Sequence, residues 1–151
     1  MKLAEALHLR ADLQKRISQL GDRLNNNAKV QEGDEPAEDP AVLLRELEDG
    51  TAELARLITA INLTNSRTVA DGRTLTAMIA EKDALSLRIS LLRNFIAQAS
   101  TKVDRYSNKE IRICSTVDVR EQQKTLDALS KTLRELDVKI QGLNWTTDLI
   151  E

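Results

Sequence analysis

Apolar residues recur at alternating spacings of three and four positions in four segments of the chain, a pattern typical of long amphipathic helices. We place these helices at about residues 2–25, 40–62, 74–101 and 118–143. A helix of about 25 residues is roughly 37 Å long at 1.5 Å per residue, which is longer than most globular helices. The pattern therefore predicts an all-α fold, in which the long helices pack as an antiparallel bundle within a single domain spanning residues 1–151.

Local signals mark several helix boundaries. Pro40 suits the first turn of the second helix, where a missing N–H costs nothing. Asp71 and Gly72 form a turn signal just before Thr74, which we interpret as a cap for the third helix. Asp118 is a predicted cap of the fourth helix. Residues 26–39 are rich in acidic residues and contain both Gly and Pro, so we predict an extended or mobile acidic loop.

Three of the four helices have one apolar stripe, and each therefore has one predicted buried face. The predicted core positions are Leu3, Ala6, Leu13, Ile17, Leu20 and Leu24 in the first helix, Leu44, Leu47, Leu54, Ile58 and Ile61 in the second, and Val119, Leu126, Leu129, Leu133, Leu136, Ile140 and Leu143 in the fourth.

The third helix is apolar on two sides. Its predicted core face comprises Leu75, Met78, Leu85, Ile89, Leu92, Ile96 and Ala99, and its second stripe comprises Ala80, Ala84, Leu87, Leu91 and Phe95. A lone four-helix bundle covers only one face of each helix. We therefore predict a homo-oligomer, with Ala84, Leu87, Leu91 and Phe95 as the self-association residues. The alternative is that the tail residues Trp145, Leu149 and Ile150 cover this stripe within one chain.

Two pairs of segments are similar to each other, residues 2–20 with 74–92 and residues 53–66 with 135–148. Duplication of a helical hairpin explains both matches, and so does the shared heptad spacing of any two amphipathic helices. Asn62 and Asn144 occur in matching Asn-x-Thr sequences. We interpret them as helix ends, where asparagine tolerates the left-handed conformation.

Residues 102–115 differ from the rest of the chain, because Ile111 and Ile113 alternate with polar residues after a turn signal at Ser107 and Asn108. This pattern predicts a small β-hairpin. An isolated hairpin has little stability in water, so we expect it to lean on the bundle or on a neighbouring copy.

Charge and composition exclude several functions. The formal net charge is −2, with 22 basic and 24 acidic residues, so we expect neither nucleic acid nor a membrane surface as a partner. Cys114 is the only cysteine, which excludes a disulfide within one chain. Without an apolar run of the roughly 18 residues that span a bilayer, and with a polar helix at the start, we expect a cytoplasmic protein.

Enzyme signatures are weak. Glu5 and His8 have the Glu-x-x-His spacing of carboxylate-bridged di-iron bundles, but such sites need two copies and His8 is the only histidine. The acidic pairs Glu32-x-x-Glu35 and Glu46-x-x-Asp49 are similar to the magnesium sites of all-α nucleotide pyrophosphohydrolases, yet the first pair lies in a predicted loop. We identify no phosphate-binding glycine loop or serine nucleophile motif, and we expect no catalytic residue, metal, cofactor or identifiable small-molecule substrate.

The polar segments carry a family resemblance. NAKVQEGDEPAEDP, INLTN, DGRTL, VDRYS, STVDV and LNWTTDLIE resemble segments of a family of small uncharacterised bacterial proteins, some of which are automatically labelled septicolysin. The resemblance covers nearly the whole chain. It implies a bacterial, mostly helical protein, and the label implies a lytic toxin.

We interpret the sequence as that of a non-enzymatic structural or protein-interaction protein that acts as a self-associating helical bundle. Two alternatives stay open. They are a metal-dependent hydrolase that uses the acidic residues, and a membrane-active cytolysin as the family label suggests.

Overall fold

Four long α-helices and one small antiparallel sheet make up the part of the chain described by this computed structural model, which comprises residues 1–101 and 112–150. The helices are α1 (Leu3–Asn26), α2 (Pro40–Arg67), α3 (Leu75–Ser100) and α4 (Val119–Thr146). The predicted all-α class is confirmed. Two helices continue past their predicted ends at residues 62 and 143, because α2 ends at Arg67 and α4 at Thr146.

Side-chain caps lie at the starts of α2 and α4, of which Asp118 was predicted and Asp39 was not. The side chain of Asp39 accepts a hydrogen bond from the Ala41 N–H at 2.9 Å, and Pro40 is the first residue of α2. The side chain of Asp118 accepts from the Glu121 N–H at 3.2 Å, just before α4. These bonds satisfy N–H groups that have no partner within the helix.

The small sheet is not at the predicted hairpin near residues 102–115. It consists of β1 (Val69–Ala70) and β2 (Arg73–Thr74), with Val69 opposite Thr74. The two residues between the strands, Asp71 and Gly72, both have positive φ (49° and 73°), as a tight two-residue hairpin turn requires. Residues 102–111 of the predicted hairpin lie outside the described residues, and residues 112–115 are not in a strand.

The chain divides into two compact units. The first comprises Met1–Thr76 with Gln141–Glu151, and the second comprises Ala77–Ile140. Because α3 begins in the first unit and α4 ends there, both helices pass from one unit to the other. The single-domain organisation over residues 1–151 stays a prediction.

In the first unit, α1 and α2 are antiparallel, since Arg23 lies beside Glu46 and Ile17 beside Gly50. The predicted core positions Leu47, Leu54 and Ile61 lie on the less exposed face of α2, and the prediction of Leu44 is wrong. Leu43 is buried and Leu44 is exposed. Positions with low exposure follow a heptad along α2 that includes Gly50 and Thr64, namely 43, 47, 50, 54, 57, 61 and 64. A glycine and a threonine interrupt the apolar pattern, and Leu43 and Leu44 are equally apolar, so hydrophobicity alone did not identify Leu43 as the buried residue.

Gly50 lies where α1 and α2 approach each other. A Cβ atom at this position would be 3.4 Å from Cγ1 of Ile17, an ordinary van der Waals distance. Glycine therefore allows the two helices to approach closely here, but a residue with a Cβ atom is not sterically excluded.

The segment after α4 is also fixed within the first unit. The Leu3 N–H donates to the Thr147 carbonyl oxygen at 2.9 Å, and the Leu149 N–H donates to the Met1 carbonyl oxygen at 2.9 Å. The Ile150 N–H donates to Oγ1 of Thr64 at 2.9 Å, and that hydroxyl donates to the Ala60 carbonyl oxygen at 2.8 Å. The buried threonine of α2 therefore holds the end of the described chain.

In the second unit, α3 and α4 pack antiparallel, and the predicted core faces of both helices are confirmed. Ile89, Ile96 and Leu126 form a buried cluster, against which further apolar side chains of both helices pack. Nζ of Lys82 lies 3.2 Å from Oδ1 of Asp137 and links the two helices.

The interpretation of Asn62 and Asn144 as helix ends is wrong. Both residues lie inside their helices, since α2 ends at Arg67 and α4 at Thr146. Among the described residues other than glycine, only Asp71 has positive φ. The two asparagines also differ in environment, because Asn62 is exposed and Asn144 is buried. They therefore lend no structural support to the duplication, which stays a prediction.

Candidate functional site

The second apolar face of α3 is exposed to solvent. The exposed fractions are 62% for Leu87, 61% for Leu91 and 45% for Phe95, and Ala84 is also exposed. We call these four residues the α3 stripe. The opposite face of the same helix is buried through Ile89 and Ile96. The sequence prediction that α3 is apolar on two sides therefore corresponds to one packed face and one open face.

The α3 stripe lines a shallow apolar depression of about 550 Å³ beside α4. Gln122 and Thr125 of α4 contribute the polar edge, and Arg88 borders the stripe one turn after Ala84. Isolated exposed leucines are common on protein surfaces, but contiguous apolar side chains at helical spacing are typical of interaction sites.

The tail is held within the first unit. The Leu149 N–H donates to the Met1 carbonyl oxygen and the Ile150 N–H donates to Oγ1 of Thr64. The side chains of Leu149 and Ile150 are half-buried and Trp145 is exposed. The alternative in which the tail covers the stripe stays a prediction.

A second apolar surface lies in the first unit. It is an open groove of about 640 Å³, and we call it the apolar groove. Met1 and Leu9 are exposed by 57% and 37%, and Glu53 and Arg56 of α2 lie on its rim. Its principal apolar side chains are Met1, Leu9, Ala60, Leu63, Leu149 and Ile150.

Sequence reasoning missed the apolar groove. A signal was present, since Leu9 falls outside the core register of α1 and Leu149 and Ile150 follow the end of the α4 pattern. Without the hydrogen bonds that place the tail beside Met1 and Thr64, these residues could not be assigned to one surface.

The candidate metal ligands are separated or already engaged. A carboxylate oxygen of Glu5 accepts from the Lys2 N–H at 2.6 Å, so it serves the start of α1. The His8 ring lies 6.4 Å from the Trp145 ring, centroid to centroid. Within residues 1–101 and 112–150, no group of three or more His, Cys, Asp or Glu side chains is placed to hold a metal ion.

A polar cleft between α1 and α2 contains an ion-pair cluster. The Arg23 guanidinium binds both carboxylate oxygens of Glu38, at 2.5 Å from Nη2 and 3.0 Å from Nε, and lies 3.7 Å from Glu46. Glu38 belongs to the predicted acidic loop, and its N–H donates to the side chain of Asn27. The cluster therefore anchors the end of this loop to α1.

Hydrogen bonds from Arg23 lower the pKa of Glu38, and partial desolvation opposes this shift. In the same cluster, the pKa of Arg23 is raised by its hydrogen bonds to Glu38. At the chain end, a hydrogen bond from Lys2 lowers the pKa of Asp148. These shifts are explained by structural ion pairs, so they do not by themselves indicate a catalytic group.

None of the described helices is both long enough and apolar enough to cross a membrane. Cys114, the single cysteine, is exposed.

The chain matches one family model and a solved structure. The chain is similar to a functionally unknown conserved protein from Corynebacterium diphtheriae, whose crystal structure superposes with a TM-score of 0.91 at 44% identity and 99% coverage of both chains. None of the curated proteins compared with the chain matches it. The model of a family of unknown function matches residues 10–149. The chain therefore belongs to DUF6847, a family of unknown function.

Proposed function

We propose that this protein is a non-enzymatic structural or interaction protein that self-associates through the α3 stripe. The observation that supports the proposal is the exposure of Leu87, Leu91 and Phe95 as contiguous apolar side chains on a helix whose other face is packed. Helices with two apolar faces gain stability when a partner covers the second one.

The energy of this contact follows from the exposed fractions. Complete burial of a leucine or phenylalanine contributes about 1.5–3 kcal/mol, so covering the remaining surface of these three side chains contributes roughly 2.5–5 kcal/mol per copy. The partner surface that covers the stripe loses a similar apolar area, so one contact gains roughly 5–10 kcal/mol, whereas association costs about 4–15 kcal/mol in lost freedom. The stripe alone therefore supports an association that depends on protein concentration.

The test compares Leu91→Glu with the matched variant Val138→Glu. Both side chains are exposed apolar residues of the second unit, but Val138 lies outside the α3 stripe. We expect light scattering to show a smaller particle for Leu91→Glu, with helicity retained in circular dichroism. The Val138→Glu variant is expected to keep the wild-type mass. Equal masses for wild type and Leu91→Glu would refute the proposal.

Two alternatives from the sequence need separate tests. A metal-dependent hydrolase would use the acidic pairs of the loop and α2, and metal retained after purification would favour it. A cytolysin, which the septicolysin label suggests, would release dye from liposomes. We place the protein in the cytoplasm as part of the proposal, and the supporting observation is the absence of a disulfide partner for Cys114.

A further inference from the structure

The chain exposes two apolar surfaces of similar size. The side chains of the α3 stripe, at positions 84, 87, 91 and 95, have the spacing of a helix face that inserts into a groove. The apolar groove of the first unit is open, and its volume of about 640 Å³ exceeds the 550 Å³ depression at the stripe. One chain therefore carries both halves of a helix-in-groove contact.

Pairing of two α3 stripes with each other is disfavoured by charge. In an antiparallel two-fold pair centred between Leu87 and Leu91, each Leu87 faces Leu91 of the other copy. Arg88 lies on one border of the stripe. In this pair, the Arg88 residues of the two copies are offset by about two residues, or roughly 3 Å along the helix axis. With so small an offset along the axis, the two arginines lie on the same border of the pair, and their like charges oppose association.

The apolar groove offers opposite charges instead. Its rim carries Glu53 and Arg56, whereas α3 carries Arg88 and, one turn before Leu87, Asp83. None of these four side chains has an ion-pair partner within the described part of the chain. With α3 antiparallel to α2, Arg88 approaches Glu53 and Asp83 approaches Arg56.

We propose that the apolar groove of one copy binds the α3 stripe of a second copy, with Arg88 of the second copy beside Glu53. This proposal rests on the proposed self-association. The two surfaces are different, so the contact is heterologous. A pair joined by one such contact has a second stripe and a second groove, and these bind each other in a reciprocal dimer, bind further copies or close a ring.

A complementation experiment tests this contact. Leu91→Glu removes the stripe and leaves the groove intact, whereas Leu9→Glu removes the groove and leaves the stripe intact. Leu44→Glu is the matched control, because Leu44 is an exposed leucine of the first unit that lines neither surface. Circular dichroism verifies that each variant is folded, and light scattering gives the mass of each variant and of an equimolar mixture.

We expect each disabled variant to be monomeric, the Leu44→Glu control to associate like wild type, and the mixture to form a one-to-one complex. If Leu9→Glu keeps the wild-type mass while Leu91→Glu is monomeric, the groove proposal is overturned and the stripe proposal stands. If Leu91→Glu keeps the wild-type mass, both proposals fail.

Charge reversal tests the same contact without placing a charge in an apolar surface. Arg88→Glu and Glu53→Arg each weaken association at least tenfold if the residues face each other. Mixing these two variants restores it, because the reversed pair forms between them. Additive losses without restoration would overturn the proposed contact between Arg88 and Glu53.

Discussion

Replacing Thr64 with valine tests how the end of the described chain is held. The Thr64 side chain is fully buried, and its Oγ1 accepts from the Ile150 N–H at 2.9 Å while donating to the Ala60 carbonyl oxygen at 2.8 Å. Valine has nearly the same shape but no hydroxyl. The Ile150 N–H therefore loses its partner, while the packing of α2 is preserved.

The expected loss can be worked out from these bonds. Leaving a buried donor without a partner costs about 1–3 kcal/mol, and the added methyl group recovers about 0.8 kcal/mol. The net destabilisation is roughly 0.5–2 kcal/mol. For a chain of this size each kcal/mol lowers the melting temperature by about 2–4 °C, so we expect a decrease of roughly 1–8 °C.

Thr59→Val is the matched control. The Thr59 hydroxyl also donates to a carbonyl oxygen four residues earlier, that of Ala55, but the side chain is exposed and accepts no bond from the tail. We expect thermal circular dichroism to show a lower melting temperature for Thr64→Val than for Thr59→Val, and hydrogen exchange to be faster at the Ile150 amide. Equal melting temperatures and unchanged exchange would show that this bond does not hold the tail.

Four further substitutions have defined outcomes. Leu136→Asp places an unpaired charge at a position that is 6% exposed, so we expect urea denaturation to show a loss of about 3–5 kcal/mol or more; unchanged melting would show that the register of α4 is wrong. Gly50→Ala and Gly142→Ala are each expected to raise the free energy of unfolding by about 0.5–1 kcal/mol, because alanine favours the helix and neither Cβ position is blocked. The pKa of Glu38 is lowered by Arg23, so the stability that this pair contributes is present above the ordinary glutamate pKa and is lost as pH falls through the lowered value. Glu38→Gln should flatten that acid dependence in denaturation curves, and an unchanged dependence would contradict the assignment.

Local sequence determined the helices and their start sites. Hydrophobic periodicity, proline and capping residues each act over a few positions, so α1 to α4 could be located from the sequence. Asp39 and Asp118 cap α2 and α4 through bonds to residues two and three positions away. The presence of a second apolar face on α3 was equally readable, because it depends only on which residues share a side of one helix.

Tertiary structure decided which of those faces is covered. The core register of α2 includes Gly50 and Thr64, which hydrophobicity does not mark as core, and it becomes clear only when α1 lies against α2. The apolar groove depends on hydrogen bonds such as that from the Ile150 N–H to Thr64, between residues 86 positions apart. The sequence by itself therefore determined four helices and a surplus of apolar surface on α3. Only the packing of distant segments decided that this surface stays open and that a second apolar surface forms in the first unit, because burial depends on neighbours that local periodicity does not specify.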